Sequence, residues 1–143
     1  FKFFQTVWSP EKKILLLIIL FKSLTFAVDE KYEQLAQQSN TCAAYYAITT
    51  ICLNNTKGSE KLVSQSYTLY ESFLDISKYY YKKSIPTRSN KMLENLAVLN
   101  STNEAEDMMK NMESDCGNIS IIIPHGKNCV AFYKEAVNKK IVK

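Results

Sequence analysis

The apolar residues of the chain recur every three or four positions over three long segments, which is the spacing of one face of an α-helix. These segments predict helices over residues 29–53, 59–83 and 89–115. Only three glycines and three prolines occur in the chain, whereas β-sheet proteins use many of both in tight turns. The pattern therefore predicts an all-α fold, a small bundle of three to four helices.

The third predicted helix has an apolar stripe but a polar middle. Ser101 and Glu104 match a capping box, in which a serine and the residue three positions later begin a helix. Two interpretations follow: one continuous helix that ends at Cys116 and Gly117, or two shorter helices with a break near residue 101. The stripe consists of Met92, Leu93, Leu96, Leu99, Met108, Met109 and Met112.

The segment after this helix is less regular. Residues 119–123 are too few for periodicity to separate a strand from a helical turn, and no second strand candidate lies nearby, so helical or extended packing is favoured. A last helix is predicted to begin near Asn128. Its expected core residues are Val130, Phe132 or Tyr133, and Val137.

The N-terminal part has the pattern of a secretory signal peptide over residues 11–27. Lys12 and Lys13 form a positive segment ahead of an apolar run, and Thr25 and Ala27 suit the positions before a cleavage site. This pattern predicts that the protein is exported, either to the periplasm or to the cell exterior.

A membrane anchor is the alternative reading of the same residues. Lys22 interrupts the apolar run, which is well short of the roughly 20 apolar residues that a spanning helix needs. We therefore divide the chain into a leader, residues 1–27, and one mature helical domain, residues 28–143. Residues 1–10 precede the signal pattern and are assigned no fold.

The basic character of the chain comes mostly from this leader. The sequence has 18 Lys and Arg against 14 Asp and Glu. The leader holds four of those bases and one of the acids, which leaves 14 and 13 for the mature part. Nucleic-acid binding requires a clear excess of basic residues on one face, and this balance argues against it.

All four cysteines follow the predicted cleavage site, and an even number in an exported chain is typical of a disulfide framework. Cys42 and Cys52 would lie about 15 Å apart along a helix, whereas a disulfide needs Cα atoms within about 7 Å. They cannot bond to each other while the helix is intact. Each must therefore bond to Cys116 or Cys129.

The direction of the helices selects between the two remaining pairings. Short turns make the three helices run up, down and up, which places Cys52 and Cys116 at the same end of the bundle. The chain then turns back and brings Cys129 towards Cys42. The predicted disulfides are Cys52–Cys116 and Cys42–Cys129, which make the fold a disulfide-stapled bundle.

The first cysteine pair is similar in spacing to half of the motif of the mitochondrial twin Cys-x9-Cys hairpin proteins. The second pair, Cys116 and Cys129, is spaced Cys-x12-Cys and contains Pro124 between its members. The other half of that motif is therefore missing, and the sequence is assigned to no family.

The sequence favours a non-catalytic protein without a cofactor. It has no Gly-x-Ser-x-Gly, no phosphate-binding glycine loop and no Cys-x-x-Cys pair. A metal site of Cys116, His125 and Cys129 is an alternative, but zinc ligands are usually spaced more tightly and an oxidising compartment consumes thiols. The acidic residues near the end of the third helix are interpreted as a solvated surface. These are Glu104, Glu106, Asp107, Glu113 and Asp115.

Tyrosine is abundant, and three tyrosines in succession turn by about 100° per residue, so they cannot all face one core. At least one must be exposed, and exposed tyrosine is common at binding surfaces. Lysines and an arginine surround this group, and residues 104–115 are mainly acidic by contrast. The candidate surface for an unidentified protein partner consists of Tyr79, Tyr80, Tyr81, Lys82 and Arg88. Core packing of these tyrosines is an equally supported interpretation.

A protein-binding accessory or structural factor is therefore the first functional hypothesis. The second is a carrier of a small apolar ligand or lipid, held between helices by Met92, Leu96, Met108 and Met112, because methionine adapts its shape to a ligand. The third is the metal-binding or thiol-redox protein, which requires free thiols.

Overall fold

The computed structural model describes residues 28–143, so the predicted leader lies outside the described residues. Over this range the chain forms five α-helices and one 3₁₀ helix without a β-strand, and the all-α prediction is confirmed. The elements are α1 (Glu30–Asn54), α2 (Glu60–Ser84), α3 (Asn90–Asn111), the 3₁₀ helix (Cys116–Ile121), α4 (Ile123–Gly126) and α5 (Cys129–Asn138).

The three long helices run up, down and up. The backbone N–H of Asp29 donates to the carbonyl of Ser84 at 3.4 Å, so the start of α1 meets the end of α2 and these helices are antiparallel. Arg88, just ahead of α3, pairs with Glu33 near the start of α1 at 2.6 Å. The starts of α1 and α3 therefore lie at the same end of the bundle, and these two helices are parallel.

Local sequence explains where the long helices begin and end. The side chains of Asp29 and Ser89 cap α1 and α3 by accepting backbone N–H donors within each first turn. Gly58 adopts a φ of 81° between α1 and α2, a conformation that side chains disfavour. Ile85 is extended before Pro86, which ends α2 as predicted.

The third helix is continuous, which decides between the two interpretations of its polar middle. Ser101 is buried within α3, and its hydroxyl donates to Asn40 Oδ1 on α1 at 3.3 Å. The capping box is therefore not used. The helix ends at Asn111, ahead of the predicted end at Gly117, because Glu113 and Ser114 turn the chain with φ values of 55° and 56°.

Two clusters of buried side chains fill the bundle. The first, here called the aromatic core, lies among α1, α2, α3 and α5. The second, here called the aliphatic core, lies between α1, the end of α3 and the segment that follows it. The buried members of the aromatic core are Ala36, Cys42, Ala43, Phe73, Ile76, Tyr80, Tyr81, Leu93, Cys129, Phe132 and Ala136. Those of the aliphatic core are Ala44, Ile48, Met108, Met112 and Ile122.

Small residues allow α1 and α2 to approach closely, since the distance between packed helices depends on the side chains at the contact. Ala36, Ser39 and Ala43 are all fully buried on α1. The Ser39 hydroxyl donates directly to the backbone carbonyl of Phe73 on α2 at 2.6 Å. This bond satisfies a buried polar group, which would otherwise cost free energy.

The last helix faces the core with only some of the predicted residues, since Phe132 is buried as expected but the two valines are not. Cys129, Phe132 and Ala136 are buried, whereas Val130 and Val137 are exposed. The prediction that these two valines enter the core is wrong. The disulfide at Cys129 fixes the rotation of α5, and residues three and seven positions later then share its inner face.

The two disulfides join Cys42 to Cys129 and Cys52 to Cys116, with Cα–Cα distances of 5.6 and 5.5 Å. This is the pairing expected from the directions of the helices. Cys42 and Cys129 are buried in the aromatic core, whereas Cys52 is half-buried at the edge of the aliphatic core. The residues after α3 are thus tied to α1 at two levels.

Candidate functional site

The predicted partner surface divides into buried and exposed parts. Tyr79 is exposed, but Tyr80 and Tyr81 retain only 4 % and 2 % of their accessible surface. Tyr80 stacks on Phe132 of α5, and their ring centroids lie 6.2 Å apart. Tyr80 and Tyr81 therefore belong to the aromatic core and cannot present a docking surface.

Tyr81 is also held by a polar network at the junction of the three long helices. Its hydroxyl accepts hydrogen bonds from Asn40 Nδ2 at 2.8 Å and from Asn100 Nδ2 at 2.6 Å. Asn40 Oδ1 in turn accepts a bond from the Ser77 hydroxyl at 2.6 Å. Asn40 and Ser77 are buried, so this network fixes the relative positions of α1, α2 and α3.

Arg88 has a structural position as well. Its guanidinium pairs with Glu33, donates to the carbonyl of Tyr81 at 3.0 Å and lies 5.2 Å from the centre of the Tyr81 ring. Only 13 % of its side chain is exposed. Lys82 Nζ donates to the Arg88 carbonyl at 2.7 Å. Of the five predicted surface residues, Tyr79 and Lys82 are the ones exposed to solvent.

A groove between α2 and α3 contains both of these residues. Its volume is about 370 Å³, and Lys83 Nζ lies 5.6 Å from the centre of the Tyr79 ring beside it. The groove thus combines an exposed aromatic ring with three nearby ammonium groups and one carboxylate. Its lining consists of Lys78, Tyr79, Lys82, Asn90, Leu93 and Glu94.

A second, more apolar groove lies on α3 itself. Its volume is about 350 Å³, and its lining consists of Ser89, Lys91, Met92, Asn95, Leu96 and Leu99. Met92 and Leu99 are 51 % and 57 % exposed, and Val98 beside them is 42 % exposed. The sequence places Met92 and Leu99 in the apolar stripe of this helix, but no neighbouring helix within residues 28–143 covers them.

The residues expected to surround an apolar ligand do not share one site. Met108 and Met112 are buried in the aliphatic core, where they pack against Ile48 and Ile122. Met92 lies in the exposed groove of α3, and Leu96 is only half-buried there. The four side chains are therefore divided between a filled core and an open surface.

The two cysteines expected in a metal site are not available as metal ligands. Both cysteines of the proposed set are in disulfides, and no cysteine of the chain is free. His125 is exposed on α4. In the part of the chain that the structure describes, no group of three or more His, Cys, Asp or Glu residues is placed to hold a metal ion.

The titration of two tyrosines is altered by the aromatic core. Burial raises the pKa of Tyr80, and burial together with the nearby Tyr45 hydroxyl raises the pKa of Tyr46. Both side chains are therefore neutral at physiological pH. Neither lies in the two grooves described above.

Comparison with known protein families, curated proteins and solved structures gives no match for this chain. The surface features must therefore be interpreted from their own chemistry. Within residues 28–143, no helix is both long and apolar enough to cross a lipid bilayer.

Proposed function

We propose that this protein is an exported, non-catalytic accessory protein that binds an acidic, partly apolar segment of another protein. The groove between α2 and α3 is the proposed docking site. The observation that supports this proposal is the exposed Tyr79 ring beside Lys78, Lys82 and Lys83. An exposed tyrosine provides a large contact area, and basic neighbours attract a partner of the opposite charge.

The charge distribution around the groove supports an acidic partner. Residues 78–91 include four lysines and one arginine but no acidic residue, whereas residues 104–115 include five acids and one lysine. Some of this positive charge is already paired, since Lys78 lies 2.7 Å from Asp75. Lys82 and Lys83 form no ion pair among the described residues and remain available to a partner carboxylate.

Two features support export. The leader pattern predicts secretion, and the two disulfides are of the kind that forms in oxidising compartments. They also give a small domain a rigid frame, which lowers the entropy lost when its surface binds a partner.

The proposal is tested with a displayed library of short peptides screened against the oxidised protein. We expect the selected peptides to be rich in Asp and Glu together with aromatic or aliphatic residues. Their binding should weaken as salt is added, because exposed charges are screened. Selection of basic or uncharged peptides, or of none, would contradict the proposal.

Matched variants on the same helix locate the site. Tyr79→Ser combined with Lys82→Glu should abolish peptide binding. Tyr67→Ser combined with Lys61→Glu should leave it unchanged, because Tyr67 is also an exposed tyrosine of α2 but lies outside the groove. Circular dichroism spectra of both variants should match that of the native protein. Equal binding by the two variants would place the site elsewhere.

A further inference from the structure

We infer that the outer face of α3 is the interface of a twofold symmetric dimer, in which the α3 helices of two copies pack antiparallel. This inference does not depend on the proposed function, because the groove on α3 and the groove that contains Tyr79 share no lining residue. It begins with the side of α3 that the bundle leaves uncovered. Leu93, Ala97, Ser101 and Met108 face the core, and the opposite side is exposed.

The exposed side of α3 has large apolar side chains near its middle, between the polar residues Asn95 and Thr102. Val98 and Leu99 are 42 % and 57 % exposed, and Met92, which lies nearer the start of the helix, is 51 % exposed. Leu99 follows Met92 by seven residues, which is two helical turns, so these side chains lie on one face. Large apolar side chains grouped on one exposed face are typical of protein interfaces.

Two opposite charges on this face are placed so that they can pair between two copies of the chain. Lys91 precedes Val98 by seven residues, and Glu106 follows Leu99 by seven residues. Both charged side chains are exposed, and neither forms an ion pair among residues 28–143. The face therefore has Lys91 near its start and Glu106 near its end, where Lys110 follows Glu106 by one helical turn.

Antiparallel pairing places these ends opposite each other. With the twofold axis between Val98 and Leu99, Lys91 of one copy lies opposite Glu106 of the second copy, and the same contact recurs on the other side of the axis. Such an interface is the same patch on both copies, which is the usual arrangement in a homodimer. A parallel pairing would instead bring like charges together. A second copy of this chain is therefore the occupant that the charge pattern favours.

Sedimentation equilibrium of the oxidised protein tests this interface. One pair of helices gives a contact at the small end of stable interfaces, so we expect a dissociation constant on the order of 10 to 100 µM. Val98→Asp combined with Leu99→Asp should make the protein monomeric without changing its helix content, because both side chains are exposed. A native protein that is monomeric at about 1 mM would overturn the inference and leave this face to a different partner.

Charge reversal tests the antiparallel register. Lys91→Glu alone and Glu106→Lys alone should each weaken the dimer by about tenfold at low salt, because each introduces two like-charge contacts. The double variant should restore the native affinity to within about threefold. Lys61→Glu, which changes an exposed lysine of α2, should have no effect. Failure of the double variant to restore the dimer would overturn the antiparallel arrangement.

Discussion

The two cores of the bundle are stabilised in different ways. In the aromatic core, the Phe73 ring stacks between Tyr46 and Phe132, with ring centroids 5.7 and 6.2 Å apart. The aliphatic core is smaller, with Ile48, Ile122 and two methionines as its large buried side chains. We therefore expect the aromatic core to be held mainly by packing and hydrogen bonds, and the segment on the aliphatic core to depend more on its disulfide.

The position of each disulfide follows the same division. Cys42–Cys129 is enclosed within the aromatic core, so its sulfur atoms also contribute to packing. Cys52–Cys116 lies at the edge of the aliphatic core and joins α1 to the 3₁₀ helix, a segment without a buried residue of its own. Four predictions test this comparison, from the largest expected effect to the smallest.

Removal of the disulfides should have the largest effect. The bonds span sequence separations of 87 and 64 residues, and the chain-entropy model gives about 4 to 5 kcal/mol for each. Replacement of Cys42 and Cys129 by Ala should cost about 1 to 2 kcal/mol more than replacement of Cys52 and Cys116, because it also removes buried atoms. Denaturant unfolding measures both costs.

Hydrogen exchange distinguishes the two disulfide variants further. Loss of Cys52–Cys116 should release the amides of the 3₁₀ helix while those of α2 stay protected. Loss of Cys42–Cys129 should weaken protection throughout the three long helices. Equal and uniform loss of protection in both variants would contradict the division into two regions.

Disruption of the polar network beside the aromatic core should have the second-largest effect on stability. Asn40→Ala removes one donor to Tyr81 and the acceptor for Ser77 and Ser101. The two buried serine hydroxyls lose this acceptor, and the Tyr81 hydroxyl keeps only its bond from Asn100. We expect the free energy of unfolding to fall by about 2 to 4 kcal/mol. Gln38→Ala, at an exposed position of the same helix, should change it by less than about 0.5 kcal/mol. A similar cost for both variants would show that the network contributes little.

A glycine contact tests the packing at the aliphatic end. A Cβ atom at Gly126 would lie 2.5 Å from two carbons of the Tyr45 ring, so Gly126→Ala should destabilise the protein by about 1 to 3 kcal/mol. Gly117→Ala is the matched control. Its Cβ would lie 3.2 Å from Asp115 Oδ1, which accepts the Gly117 N–H. This oxygen has to shift only slightly, so the expected change is smaller, within about 1 kcal/mol. The same thermal midpoint for both variants would contradict this contact.

Alkaline pH should produce the smallest effect, and it should originate in the aromatic core. The pKa values of Tyr46 and Tyr80 are raised in the folded state, so the unfolded chain loses these protons first as the pH rises. Stability should be constant below the unfolded value of about 10 and fall as the pH increases through the folded values. The variant with Tyr46→Phe and Tyr80→Phe should show a shallower fall in denaturant titrations. An unchanged slope would assign the effect to other groups.

The parts of the fold that follow from local geometry were predictable from the sequence. The long helices follow from apolar periodicity, and the disulfide pairing follows from the rise per residue and the helix directions. The burial of Tyr80 was not predictable, because Phe132, which covers it, belongs to a helix more than fifty residues later in the chain. The sequence likewise could not show that Ser101 donates a hydrogen bond to Asn40 on α1 and does not begin a new helix.

The candidate site was predictable only in part, for a related reason. Three consecutive tyrosines require one to be exposed, and the structure identifies it as Tyr79. An apolar stripe predicts a buried face, yet a pattern on one helix does not show whether a neighbouring element covers every part of it. Met92 and Leu99 belong to such a stripe and are exposed. The signal in the sequence was the pair of charged residues Lys91 and Glu106, seven residues before Val98 and seven after Leu99.

Peptide mass mapping of the purified protein under non-reducing conditions tests directly whether two disulfides fix the helices in this arrangement. We predict peptides that join Cys42 to Cys129 and Cys52 to Cys116, with no free thiol. A bond between Cys116 and Cys129, or between Cys42 and Cys52, would contradict the helix arrangement. Free thiols at all four positions would contradict the stapled bundle itself.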